Sequence, residues 1–200
     1  AEPYEFTGQA AFGGRFFFFD RRRRIRRGGG GHIVGKCGTS GGRLWRLTPR
    51  IEAELADGAR FWRLERALCR ACLAPDPAGA MRRGDVEAAL RLKSFDYRVM
   101  NLLLFAMRRA PPDEALLRFL AASEILVEVG DDLTDYEEDV ERNSFNVYRC
   151  FVALYGAERG PQELLAFIGE AEAAYAAGLE RLGPAFASAW RRRCQASKRH

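Results

Sequence analysis

The 200-residue chain carries 32 Lys and Arg against 27 Asp and Glu, and it is 48% hydrophobic and 12% aromatic. That size suits one domain, or one domain with an appendage, and that apolar fraction excludes wholesale disorder. No apolar run reaches the roughly 20 residues of a membrane-spanning helix; the longest candidates are Asn101–Met107 and Phe16–Phe19, so the sequence reads as that of a soluble protein.

The net charge of +5 is unevenly held. Residues 1–50 contain eleven basic residues against Glu2, Glu5 and Asp20, a net +8, which leaves −3 for the other 150. The five cysteines (Cys37, Cys69, Cys72, Cys150 and Cys194) are an odd and sparse set. They suit a reducing, intracellular compartment, the cytosol or an organelle such as a plastid, better than a disulfide scaffold. Cys69-Arg-Ala-Cys72 is a CxxC, but the chain has only His32 and His200 besides and no second cysteine pair. Four zinc ligands are therefore not assembled, and the two cysteines read as small core residues of a helix.

In chain order, residues 1–47 read as a basic, Gly/Arg-rich arm, partly extended or flexible. Phe16–Phe19, then Arg21, Arg22, Arg23, Arg24, Ile25, Arg26 and Arg27, then Gly28–Gly31, form blocks without helical periodicity; a short strand is expected over Arg15–Phe19. The six arginines between Arg21 and Arg27 are the candidate polyanion-binding residues, suited to RNA, an acidic protein or anionic lipid. Gly35-Lys36-Cys37-Gly38-Thr39-Ser40 lacks the glycine spacing of a phosphate loop.

Residues 48–200 read as an all-α domain of about five long helices. Thr48-Pro49 supplies a hydroxyl cap and a proline at the first helical position, and Ile51, Leu55, Phe61, Leu64, Ala67 and Leu68 follow as a stripe. Pro75–Gly79 predicts a loop. A helix is expected from Gly84-Asp85 to Arg109, broken near Ser94, with Val86, Leu90, Phe95, Val99, Leu102, Leu103 and Met107 on one buried face. Pro111-Pro112 stops it and Asp113 is placed to cap the next helix. Later, Pro161 opens a helix to about Leu182, and Gly183-Pro184 separates it from one ending near Arg193.

Between them runs the acidic stretch. Nine acidic residues fall between Glu124 and Glu141. On one continuous helix Glu128, Asp132, Asp135, Asp139 and Asn146 share a strip, flanked by Glu124, Asp131 and Arg142, while Leu126, Val129, Leu133, Val140 and Val147 lie opposite. An amphipathic helix with its charges in water is one reading. The single sign of the strip and its four aspartates, poor helix formers, favour another: carboxylates arranged for a hard cation such as Mg2+.

Asp131-Asp132-Leu133-Thr134-Asp135 is a DDxxD, and it resembles the aspartate-rich motif of the isoprenoid synthase superfamily, the terpene synthases and trans-prenyltransferases. The wider Val129–Asp139 is similar to the prenyltransferases' second motif, DDxLDxxxD. Ser94–Asn101 and Asn143–Arg149 are similar to segments of plant and algal terpenoid-synthase-like proteins. The resemblance covers about residues 48–195. It implies a shortened isoprenoid synthase fold, with Asp131, Asp132 and Asp135, and more weakly Asp139, as Mg2+ ligands. It also implies an isoprenyl diphosphate or pyrophosphate as ligand and electrophilic terpene synthase or prenyltransferase chemistry. A second acidic cluster is absent from the sequence, so an alternative expectation stands beside it. In that alternative the chain is a non-catalytic, degenerate member acting as a structural or binding subunit of a larger, ribonucleoprotein-type or protein assembly through its basic arm.

Overall fold

The computed structural model describes residues 48–197; the basic arm, with its expected strand and its candidate arginines, lies outside the described residues. Those residues form eight helices and no strand: α1 Pro49–Ala71, α2 Pro77–Ala80, α3 Arg83–Lys93, α4 Phe95–Met107, α5 Glu114–Thr134, α6 Tyr136–Arg142, α7 Val147–Leu182 and α8 Pro184–Ser197. The all-α reading holds.

Local chemistry sets most of the boundaries. The Thr48 hydroxyl accepts from Ile51 N–H at the start of α1, and Asp113 accepts from Ala115 and Leu116 N–H at the start of α5. Each such cap satisfies donors that the helix cannot, for about 1 kcal/mol. Ser94 separates α3 from α4. The expected loop at Pro75–Gly79 instead contains one helical turn, because Asp76 caps it through Gly79 N–H and Pro77 is preset for a first helical position.

The centre of the bundle is α5 laid against α7. α1 packs on α3 and α4, α3 touches both central helices, and α8 folds back on the end of α7. One core runs through Phe61, Leu68, Val86, Leu90, Ile125, Val129, Val147, Phe151, Leu164 and Phe167. At the far end an aromatic group closes the bundle. Phe119 meets Tyr175, Phe186 and Trp190 at ring centroids 5.0–5.4 Å apart, and Trp190 Nε1 donates to the Tyr175 hydroxyl at 2.8 Å.

Two expectations about faces need correction. Leu103 and Met107 are exposed, and of the predicted α3–α4 face Val86, Leu90 and Leu102 are buried; the break at Ser94 resets the helical phase. Nor is the acidic stretch one helix. α5 stops at Thr134, α6 runs only to Arg142, and Asn143 takes a left-handed conformation (φ 51°, ψ 45°) before α7 begins. Leu133 and Val140, placed on the inner side by a continuous wheel, are exposed, while Asp132 is 1% exposed.

Helix α7 bends at Gly156 (φ 84°, ψ 168°), a backbone region open essentially to glycine alone. The bend folds the chain so that a Cβ at Gly160 would lie 2.8 Å from the Phe151 carbonyl oxygen and from Val152 Cα. Backbone cannot retreat as a side-chain tip can, so Gly160→Ala is expected to lower unfolding free energy by about 1–3 kcal/mol. At Gly169, on the same helix, a Cβ meets open space, so Gly169→Ala should be neutral or stabilising. Urea unfolding of both variants checks this; equal effects at the two positions would contradict the close approach.

Candidate functional site

The acidic strip of α5 faces α3 and α4, and two basic side chains from those helices reach into it. The Lys93 ammonium stands 2.6 Å from Asp132 Oδ1 and 2.7 Å from Glu128 Oε2. Its side chain is 12% exposed and that of Asp132 is 2% exposed, so the pair lies largely out of water. Ser94 Oγ donates to the other oxygen of Glu128 at 2.5 Å. One turn earlier on α5, Arg98 Nη1 donates to Glu124 Oε2 at 3.1 Å while its Nε donates to Glu54 Oε2 at 2.7 Å. Arg98 therefore ties α4 to both α1 and α5.

The second oxygen of Asp132 accepts from Val147 N–H, the first residue of α7, at 2.7 Å. A carboxylate there satisfies an orphan helix donor and sits at the positive end of the helix dipole. Asn146 caps the same helix by accepting from Arg149 N–H. Its Nδ2 donates to the Asp132 carbonyl oxygen at 2.5 Å and to Asp139 Oδ2 at 3.1 Å. Ser144 Oγ donates to Asp139 Oδ1 at 3.0 Å, and Arg149 Nη1 donates to Asn143 Oδ1 at 2.9 Å. The loop over residues 143–146 is thus stitched to both ends of the acidic stretch.

These contacts move the titrations. Burial works against the Lys93 ammonium, but Glu128 and Asp132 together outweigh it and hold the lysine above its ordinary range. Burial raises Asp132 to about 6, against the downward pull of Lys93 and the Val147 N–H. Two short charge-assisted contacts keep it ionised at neutral pH. Glu124 is pushed up to about 7, burial outweighing Arg98. Its Oε1 is buried and has no hydrogen-bond partner among the described residues, which is why its ionised form is penalised.

Of the carboxylates that the resemblance implies as Mg2+ ligands, two are bonded to the protein's own groups and two are exposed. Asp132 points inward onto Lys93 and Val147, Asp139 turns to Asn146 and Ser144, and Asp131 and Asp135 are exposed. Asp135 is the C-cap of α5 and its N–H still donates to the Asp131 carbonyl oxygen at 2.8 Å, so these two keep the i,i+4 relation. Among the described residues no group of three or more His, Cys, Asp or Glu side chains is placed to hold a metal ion.

Two depressions adjoin the strip. One, of about 650 Å3, lies over Thr134, Asp135, Glu137, Glu138, Glu141 and Arg142. The other, of about 130 Å3, lies between α1, α4 and α5 and includes Arg50, Glu54, Arg98, Glu114, Arg118 and Glu124. The first is lined mainly by charged side chains, while Leu102, Leu117, Leu120 and Ala121 also line the second. Among the described residues no helix is long and apolar enough to cross a membrane. Comparison with family models, with curated proteins and with solved structures returns no match.

The sequence reading does not mark Lys93, and it marks Ser94 and Arg98 only as a helix break and as part of the Ser94–Asn101 segment, not as partners of the acidic strip. A signal was present for Lys93: it follows Val86 and Leu90 at helical spacing, a cation on an otherwise buried face of α3. A charged residue there needs a buried counter-charge.

Removing one partner of a buried pair strands the other. Lys93→Met is expected to cost about 3–5 kcal/mol of unfolding free energy. Adding Asp132→Asn, which removes one buried charge and keeps an acceptor for Val147, should recover part of the loss. Denaturant unfolding of the single and double variants checks this; a loss under about 1 kcal/mol for Lys93→Met, the scale of an exposed pair, would contradict the buried network.

A second expectation concerns pH. The folded chain holds the Glu124 proton more tightly than the unfolded chain, whose carboxyl titrates near the ordinary 4.5. The stabilisation is complete below that value and is lost as pH rises through about 7. Asp132 contributes in the same direction up to about 6. The melting temperature of Glu124→Gln relative to the unaltered chain should therefore rise between about pH 5 and 8, with Arg98 still held by Glu54. A flat or falling difference in thermal denaturation would contradict the assignment.

Proposed function

We propose that the chain is a non-catalytic helical subunit, a structural or binding component of a larger assembly. In it the acidic strip of an isoprenoid-synthase-like bundle holds the fold together. The observation that carries this reading is the Lys93 ammonium, 2.6 Å from Asp132 and 2.7 Å from Glu128. The chain's own cation occupies the position from which Asp132 would have to reach a metal. The charged lining of the larger depression supports the same reading, because an isoprenyl chain needs an apolar enclosure. Contact with partners falls to the basic arm, whose Arg21–Arg24, Arg26 and Arg27 suit a polyanionic surface through counterion release.

Two measurements test it. With millimolar Mg2+ and pyrophosphate together, the melting temperature of the full chain should move by less than about 1 °C, the response of a protein without an affine site. A rise of several degrees that Asp131→Asn or Asp135→Asn removes would overturn the proposal in favour of Mg2+-dependent isoprenyl diphosphate chemistry. Retention on immobilised heparin at about 0.15 M salt, where exposed charges interact over roughly 8 Å, should be lost on deleting residues 1–47 with the melting temperature unchanged. Undiminished retention of the truncated chain would remove the arm from the reading.

A further inference from the structure

Cys72 and Cys150 are 78 residues apart in the chain and their Sγ atoms lie 3.9 Å apart, which is van der Waals contact for two sulfurs. Cys72 is the C-cap of α1, half-buried, just where the helix gives way to a turn. Cys150 lies in the first turn of α7 and is 1% exposed. The fixed thiol is thus inside and the thiol with freer backbone is at the rim.

The two differ chemically as well. A hydrogen bond from Cys150 outweighs burial, and with the nearby Arg149 charge it lowers the Cys72 thiol to about 7. Cys150 moves the opposite way, raised first by its contact with Cys72 and then by burial. Cys69, one turn earlier, is buried, and burial followed by Glu65 pushes it up to about 11. Cys72, half-buried at the rim, is the thiol that a reagent from solvent reaches, and Cys150, buried and in contact with it, is the resolving thiol.

We propose that Cys72 and Cys150 are a thiol modification site at which a hydroperoxide forms a reversible disulfide that locks α1 to α7. In the first step the Cys72 thiolate attacks a peroxide oxygen. The O–O bond breaks, the alkoxide of the hydroperoxide (hydroxide in the case of hydrogen peroxide) leaves and is protonated to the alcohol or water, and Cys72 becomes a sulfenic acid, its sulfur oxidised by two electrons as the peroxide is reduced. In the second, the Cys150 sulfur attacks the Cys72 sulfur. The S–S bond forms as the S–O bond breaks, and the departing hydroxide takes the Cys150 proton and leaves as water. The bridge closes a loop that contains α2 to α6 and with them the whole Lys93–Asp132 network. It fixes the segment just beyond the Asp132 contact with α7.

The test uses the full chain, with hydrogen peroxide in slight excess and dithiothreitol as the reverse reagent. Non-reducing proteolysis and mass mapping should join the Cys72 and Cys150 peptides. The melting temperature should rise by roughly 5–10 °C, as a long constrained loop predicts, and dithiothreitol should return it. Cys69→Ser should behave as the unaltered chain, and Cys72→Ser or Cys150→Ala should show no gain. Mapping is done on the unaltered chain, so the result does not depend on either variant folding. A bridge from Cys72 to Cys69 or Cys37, oxidation of Cys72 to sulfinic acid without a bridge, or a mapped Cys72–Cys150 bridge with no thermal gain would each overturn the proposal.

Discussion

The Lys93 ammonium is the interaction on which the middle of the bundle depends. It is the cation shared by Glu128 and Asp132, and each of the three would be expensive to bury alone. The lysine leaves two buried negative charges facing one positive, an imbalance that needs further donors. Ser94 supplies one to Glu128 and the Val147 N–H supplies one to Asp132. The ion pair and the start of α7 are therefore a single arrangement. The carboxylate that caps α7 is held in place by a lysine on α3, and the helix that carries the lysine is packed by the side chains that α7 brings to the core.

This coupling explains why the acidic stretch is broken into pieces. A continuous helix from Ser123 to Tyr155 would carry Val147 away along the helix axis. The stop at Thr134, the short α6 and the left-handed Asn143 turn the chain back, so that Val147 N–H meets an aspartate fifteen positions earlier. Asn146 and Asp139 stabilise the return by bonding to the loop itself. A second reversal, at Gly156, lets the remainder of α7 cross close to its own first turns. The tertiary arrangement is made by these short interruptions as much as by the long helices.

The same distinction separates what the sequence disclosed from what it did not. Thr48-Pro49, the break at Ser94, Asp113 after Pro111-Pro112, and Gly183-Pro184 were readable because a cap or a breaker acts on its own few neighbours. The internal partners of the acidic strip were not, because Lys93 is 39 positions from Asp132 and Arg98 is 26 from Glu124. Helical periodicity carries no information across such separations. Asp132 and Leu133 depart from their expected faces for another reason: both lie inside α5, where the phase is intact, and Asp132 continues the buried Ile125 and Val129 row although its polarity points outward. The clue that a local reading can use is the complement: a lysine at a position where the pattern calls for an apolar residue.

A DDxxD spacing states only that three carboxylates would converge if the helix continued and if nothing else claimed them. Both conditions belong to the fold. Here the helix reaches the last aspartate as its cap, and the central aspartate is claimed twice, by an ammonium and by a helix N-terminus. The desolvation of that aspartate is offset by groups that the chain carries permanently. A lysine in that position asks for no ligand concentration and responds to no substrate. It ties α3 to α5, and it shows why the spacing of a motif is by itself weak warrant for chemistry.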